Sequence, residues 1–416
     1  IISQGSGANV TIATGQTKSV YLDGAGSGAA VVDSFATLSV VDLLVDDDLT
    51  VTGDVAVTGD YSSATSGTSN LRLGVNAGNS ITSGGNQNVV VGDEAGTAIT
   101  TGDENVFVGF QSGDALVDGT FNVAMGSNSL TTDTKGKKSV AIGTNALATQ
   151  NFTTLTDSFN TAVGHSAGTG VTTGQYNTLI GGSSGDAITD ADENVAVGYN
   201  SLSTNTLGNR TVAIGTGALR DQNYTTATDS FNTAVGHAAG LSVTTGIQNT
   251  FVGGTTGQAT TDADYNVAMG YGALYTNTLG SKSTAIGVSA LQNQNFTTAT
   301  DSFNTAVGYT AGLAITTGTS NTIIGAEAGN NITTGGGNFA AGYGSLTNDT
   351  KGNSSIAIGS LALLSQNFTT STNAYNVAIG EQAGRNITTG TNNTLIGALA
   401  GDAITDADGN IAVGSL

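Results

Sequence analysis

The chain has 416 residues, 62 of them glycine, and contains no proline, cysteine or tryptophan. Ten Lys and Arg against 31 Asp and Glu give a net charge of −21, so nothing supplies a basic face for nucleic acid. Without cysteine there is no disulfide, zinc-thiolate site or thiol nucleophile, and no stretch approaches the ~20 apolar residues of a membrane span.

Residues 1–66 differ from the rest. Val10-Thr11-Ile12 and Ser19-Val20-Tyr21-Leu22 alternate as short strands around turns at Thr14-Gly15 and Asp23-Gly24. Leu49-Thr50-Val51-Thr52-Gly53-Asp54 and Val55-Ala56-Val57-Thr58-Gly59-Asp60 are two copies of an alternating strand closed by Gly-Asp, as in narrow multi-chain β-prisms. Asp46-Asp47-Asp48 before them reads as a solvated turn in preference to a cation site. Residues 61–69, rich in Ser, Thr and Gly, form the junction.

From Asn70 onward one unit recurs, best seen in Asn160-Thr161-Ala162-Val163-Gly164-His165-Ser166-Ala167-Gly168. Its marker glycine returns at steps of 17, 17, 17 and 21, a 72-residue super-repeat, and about 20 units fill residues 67–416. A short fixed period is the mark of a solenoid. The predicted fold is therefore all-β, a parallel β-solenoid or β-roll, with β-branched residues and glycine disfavouring helix throughout.

Within each unit the residues one and three before the marker glycine, Val163 and Thr161 for example, share one strand face. The residue between them is apolar too: Ala162, Leu179, Ala196, Ala213, Phe251, Ile323. Apolar residues on both faces imply burial on both sides. With no helix to cover the second face, we assign the middle residue to contact with another chain, its frequent alanines permitting close approach. Beyond the marker a corner is made by Ala167-Gly168 or Ala218-Leu219, and a second short strand is predicted around the aliphatic seven residues on, such as Val171, Ile188 or Ile315. The Asn column (Asn160, Asn177, Asn194) suits a side-chain amide ladder.

Each long unit carries four extra residues within 150–159, with counterparts beginning at Asn223, Asn295 and Asn367. Their aromatic pairs (Phe152/Phe159, Tyr224/Phe231, Phe296/Phe303, Phe368/Tyr375) read as covers for the end of the core, with sugar stacking the alternative. The Asn-x-Thr sequons at Asn151, Asn223, Asn295 and Asn367 matter only in a eukaryotic secretory chain. Asp190-Ala191-Asp192 and Asp406-Ala407-Asp408 resemble the opening of a calcium loop. They lack the later Gly and the bidentate Glu, so Asp190, Asp192, Asp406 and Asp408 read as acidic turns, with calcium the minor alternative. His165 and His237 occupy one super-repeat position that Tyr309 and Glu381 fill in later copies, which argues for a surface role. No catalytic residue and no cofactor is expected.

Ser139-Val140-Ala141-Ile142-Gly143-Thr144-Asn145-Ala146 and Thr211-Val212-Ala213-Ile214-Gly215-Thr216-Gly217-Ala218 resemble the head repeat of trimeric autotransporter adhesins, whose units read Ser-Val-Ala-Ile-Gly-x-x-Ala. The resemblance covers residues 70–416 and implies a trimeric parallel β-roll with no catalytic residue. The same units, with Leu49-Thr50-Val51-Thr52-Gly53-Asp54 and Thr17-Lys18-Ser19-Val20-Tyr21-Leu22-Asp23-Gly24, are similar to stretches of phage tail fibres and other virion appendages. The expectation is a homotrimeric, non-enzymatic fibre shaft on a virion, a spacer or host-attachment element held by a baseplate or capsid protein and reaching a receptor or glycan through its tip. The alternative is the head of a bacterial surface adhesin; a polysaccharide-degrading tail spike is third. Ile1 at the start, no leader, and a last unit that stops at Leu416 suggest a fragment or processed product.

Overall fold

The structure, a computed structural model, describes residues 65–415 and, before them, the backbone of two short strands. The chain divides into two compact units, Ile1–Asp60 and Tyr61–Leu416. In the first, Val20–Leu22 pairs antiparallel with Val31–Asp33, Tyr21 opposite Val32. The other N-terminal features read from the sequence, Asp46-Asp47-Asp48 and the paired hexads among them, lie outside the described residues.

The second unit is, among its described residues, a β-solenoid without helix. Twenty three-residue strands, from Leu71–Leu73 to Ile411–Val413, form one parallel sheet in sequence order. Pairing is in register: Thr161 lies between Val140 and Thr178, and Ala162 between Ala141 and Leu179. At ~4.8 Å per coil, twenty coils make a rod on the order of 95 Å long. Hydrogen bonds between coils continue well beyond the strands. Thr161 N donates to Asn177 O at 2.8 Å, Gly168 N to Ser184 O at 2.9 Å and Thr172 N to Thr189 O at 2.8 Å. The backbone is therefore satisfied from coil to coil even where it turns, which lets so short a strand persist.

The core reverses one expectation. Ala162, Leu179, Ala196, Ala213, Phe251 and Ile323, assigned above to a partner chain, point into this chain's own core and are fully buried. The flanking positions face outward: Thr161 and Val163 are half-buried, and Ile180, Ile214 and Met269 are exposed. Steric size explains why. A 17-residue coil has a narrow cross-section, and an inward alanine fits where a pair of β-branched residues does not.

Leu130, Leu147, Leu202, Leu219 and Leu274, four residues past the marker, share the core and are fully buried. They adopt left-handed φ of +52°, +49°, +52°, +47° and +51°. Left-handed backbone costs a non-glycine residue about 1–2 kcal/mol, and burying a leucine returns ~1.5–3 kcal/mol, so the conformation is sustained.

The second strand predicted around Val171, Ile188 and Ile315 is not formed. Those residues are fully buried but follow directly on a turn and belong to no strand. Short second strands occur only beside the long units, where Gly136–Lys137 pairs with Thr156–Asp157 and Gly208–Asn209 with Thr228–Asp229. The tight corner after the marker glycine leaves too few residues to run straight before the chain turns again.

Candidate functional site

The sequence points to three places: the amide column, the acidic turns and the long loops. The structure adds a fourth, the outer face of the sheet.

The amide ladder is present and buried. Asn177 N donates to Asn160 Oδ1 at 2.9 Å, and Asn194 N to Asn177 Oδ1 at 3.0 Å. The Nδ2 of Asn160 donates to the turn carbonyl of Gly174 at 2.7 Å and that of Asn177 to Ala191 O at 2.8 Å, whereas the buried Asn194 Nδ2 has no partner among the described residues. Where Ser139 interrupts the column, Gln150 of the long loop bridges the gap. Its Nε2 donates to Ser139 Oγ at 2.8 Å and to Asp133 Oδ2 at 2.6 Å, while its Oε1 accepts from Asn160 Nδ2 at 2.9 Å. Gln222, Gln294 and Gln366 repeat the bridge. The long unit thus carries, seven past its marker where other coils hold Val171 or Ile188, an inward glutamine that restores the polar spine, a role not visible in the spacing alone.

Asp133 and Asp349 are buried carboxyls in these networks, and Asn205 and Asn277 stand in the equivalent places. Burial pushes both carboxyls up from the ordinary value, against the hydrogen bonds they accept. A carboxyl whose pKa is raised on folding stabilises the fold below its unfolded pKa and loses that contribution as pH rises through the folded value. Asp133→Asn is therefore expected to raise stability at neutral pH by on the order of 1 kcal/mol, one hydrogen bond's worth. Asn205 shows the gain available, its Nδ2 donating to Gly208 O at 2.8 Å. Thermal melts at pH 4 and pH 7 check this: the stabilisation should be larger at pH 7, and equal shifts at both would refute it.

The acidic turns hold backbone. Asp192 Oδ1 accepts from Gln175 N at 2.7 Å, and Asp408 Oδ1 from Thr391 N at 2.6 Å and Thr391 Oγ1 at 2.9 Å. Asp190 accepts from Thr173 Oγ1, and Asp406 from its neighbour Thr405. Among the described residues no group of three or more His, Cys, Asp or Glu could hold a metal ion, so these four are not brought together as a ligand set. His165 and His237 are exposed.

The aromatic pairs of the long loops split. Phe152, Tyr224, Phe296 and Phe368 are buried and cover the core, whereas Phe159, Phe231, Phe303 and Tyr375 are exposed. The second set joins a surface column immediately before each Asn. In it the Lys138 ammonium sits 4.8 Å over Phe159, which stacks on Tyr176 at 5.5 Å. Arg210 pairs with Glu193 at 3.1 Å and lies 5.8 Å over Phe231, and Lys282 lies 5.3 Å over Phe303. Asn151, Asn223, Asn295 and Asn367 are exposed, and each side-chain oxygen accepts from a threonine hydroxyl of the preceding coil.

Together these columns define one surface. Among the described residues, every exposed large apolar side chain except Leu155 and Tyr275 lies on the outer face of the sheet or at the residues flanking it. Ile142, Ile180, Ile214, Met269, Ile286, Ile324, Ile379 and Ile396 run along it. From the column before Asn to the residue before the marker glycine the face is ~13 Å wide, about 1,200 Å² over the rod. That exceeds the ~800 Å² per partner of an ordinary stable interface. No helix of the described residues is long and apolar enough to cross a membrane. Set against protein-family models, curated proteins and solved structures, the chain finds no match in any of the three.

Proposed function

We propose that this chain is the elongated shaft of a virion appendage, in the first instance a phage tail fibre, assembled as a homotrimer of parallel copies. The shaft acts as a spacer: it is held at one end by a baseplate or capsid protein and carries host attachment at the other, and it performs no catalysis. The observation that carries the reading is the apolar outer face, repeated on twenty successive coils. A face of this size, with an apolar residue before the marker glycine on every coil, calls for a partner. Its rungs recur at ~4.8 Å, and a second parallel copy of the same solenoid matches that period along the whole length. Supporting the absence of catalysis, the acidic turns and the buried carboxyls come in copies down the rod, whereas an active centre needs a singular arrangement.

The head of a bacterial surface adhesin is the second reading, favoured by the likeness of Ser139–Val140–Ala141–Ile142–Gly143 and its copies to adhesin head units. Both readings share the assembly, and sedimentation equilibrium tests it. The expected mass is three times that of the chain; a monomer at micromolar concentration would sink the assembly. Ile180→Asp with Ile214→Asp should dissociate the trimer while leaving the circular-dichroism spectrum intact, because buried unpaired carboxylates are costly at an interface but harmless on a solvated face. Electron microscopy of the particle or cell bearing the chain separates virion from bacterial surface.

A further inference from the structure

The outer face of the sheet has two margins. One is the column immediately before each Asn, with Phe159, Tyr176 and Phe231; the other is the corner residue after each marker glycine, with Phe110, Tyr199 and Tyr271. Among the described residues every exposed aromatic ring except Tyr275 and Phe339 stands on one margin or the other. The strand between them presents mostly Thr, Val and Ile. The first margin is an awkward place for a ring. Phe159, Phe231 and Phe303 have left-handed φ of +49°, +49° and +50°, where bulky residues are disfavoured. The leucines four past the marker share that backbone and are covered by the core, whereas these rings stay exposed. A second left-handed column, two past the marker and in the turn, bears no ring; Asn145, Ser166, Ser183 and Asn200 are typical of it. Rings thus occupy the left-handed column that borders the apolar face and are missing from the one that does not.

We propose that the two margins are the seams between copies of this chain: the column before Asn of each copy meets the corner column of the next, coil against the same coil. The inference rests on the trimeric reading above and adds which surfaces touch and in what register. In a closed ring of identical parallel chains each contact is heterologous, one patch meeting a different one, and closure allows no axial slip. From margin to margin the face spans six residues, ~20 Å. Three such faces set as the sides of a triangle place its axis ~6 Å from each sheet. Outward Val, Ile and Met side chains then fill the middle, while the rings lap the seams at the corners and exclude water, as the rim around the centre of a stable interface does.

The charges agree with equal height. Every Lys, Arg, Asp or Glu on one margin then faces an uncharged residue of the next chain: Glu104 meets Phe110, Lys138 meets Thr144, Glu193 meets Tyr199 and Arg210 meets Thr216. A slip of one coil sets Glu104 against Asp93, and like charges brought together oppose association. Lys138, Arg210 and Lys282 are already paired with Asp157, Asp229 and Asp301 of their own chain, so they bring no unpaired cation to the seam.

The chain has no cysteine of its own, so engineered cross-links test the seam directly. Ser320→Cys and Ala326→Cys are made together in the full chain; the two sites belong to one coil, one on each margin, and both changes are small. Within one chain the sites stand at least ~13 Å apart, beyond the ~7 Å that a disulfide spans, so a bond between them joins two chains. Oxidation with copper phenanthroline is expected to shift the chain to a covalently closed trimer on a denaturing gel, reversed by dithiothreitol and absent from either single variant. Gln248→Cys with Gly254→Cys repeats the test in another coil, where a Cβ at Gly254 meets nothing nearer than the Tyr271 ring at 3.5 Å. Ser320→Cys with Ser360→Cys, offset by two coils or ~10 Å, should stay unlinked. A wild-type chain that sediments as a monomer sinks the trimeric reading and this inference with it, as does linkage that ends at a dimer under exhaustive oxidation. A wild-type trimer in which neither equal-height pair links, or in which the offset pair links instead, overturns this inference alone.

Discussion

Gly181→Ala is expected to disrupt the coils around it, while Gly182→Ala, one residue on, leaves stability within ~0.5 kcal/mol of the wild type. The two glycines differ in backbone and in surroundings. Gly181 has φ +133°, and a Cβ there would stand 2.5 Å from Gly198 O. That oxygen belongs to the next marker glycine and is fixed within its own corner, accepting from Ser201 N at 3.4 Å and Ser201 Oγ at 3.0 Å, so it cannot withdraw without breaking that turn. The conformation alone costs a non-glycine residue ~1–3 kcal/mol, and the clash adds to it. Gly182 has ordinary φ, and its nearest neighbour is the edge of the exposed Tyr199 ring at 3.5 Å. Its column accepts Ala326, Ser127 and Thr144 in other coils. Because a stack of repeats need not unfold in one step, local hydrogen exchange is the suitable readout. Amides of residues 161–198 should lose protection by at least ~3 kcal/mol in Gly181→Ala, and wild-type protection there would contradict the account.

The repeat made most of this architecture legible. Marker glycines, amide column and coil number follow from spacing, because each coil must present the same groups at the same height to its neighbour. Strand facing was misassigned, since Thr161, Ala162 and Val163 give no polarity difference by which to tell the core side from the outside. A clue of size was nevertheless present. Coils with a large middle residue carry glycine four past the marker: Leu179 with Gly185, Phe251 with Gly257, Ile323 with Gly329, Leu395 with Gly401. Coils with leucine there carry a middle alanine: Ala196 with Leu202, Ala213 with Leu219, Ala268 with Leu274. Residues that trade volume share one core, which places the middle residue inside the chain. The fate of the loop aromatics was similarly encoded. Phe159 shares its column with Tyr176, Glu193 and Arg210, and a column that admits charge is exposed. The burial of Asp133 and Asp349 had a signal of the same kind, for both stand seven past the marker, in the column that holds Val171, Ile188 and Ile315 in other coils.

The same volume exchange yields the second large effect. Phe251 is fully buried, and Phe251→Ala should cost ~3–5 kcal/mol through lost burial and the cavity left behind. Gly257→Leu alone should also be strongly destabilising, since a Cβ at Gly257 would stand 2.6 Å from Phe251 Cε1. Combined, the two changes recreate the alanine–leucine pairing of neighbouring coils. Gly257 already has φ +58°, close to the +51° of Leu274 in the next coil, so the leucine enters a backbone prepared for it. The double variant is therefore expected to recover most of the stability that either single variant loses, giving a coupling energy of at least ~3 kcal/mol, at the upper end for contacting residues. Hydrogen exchange of residues 233–274 in the four chains of the cycle measures it. If the losses simply add, Phe251 and the residue at 257 do not compete for one space, and the packing of the rod is not the one described.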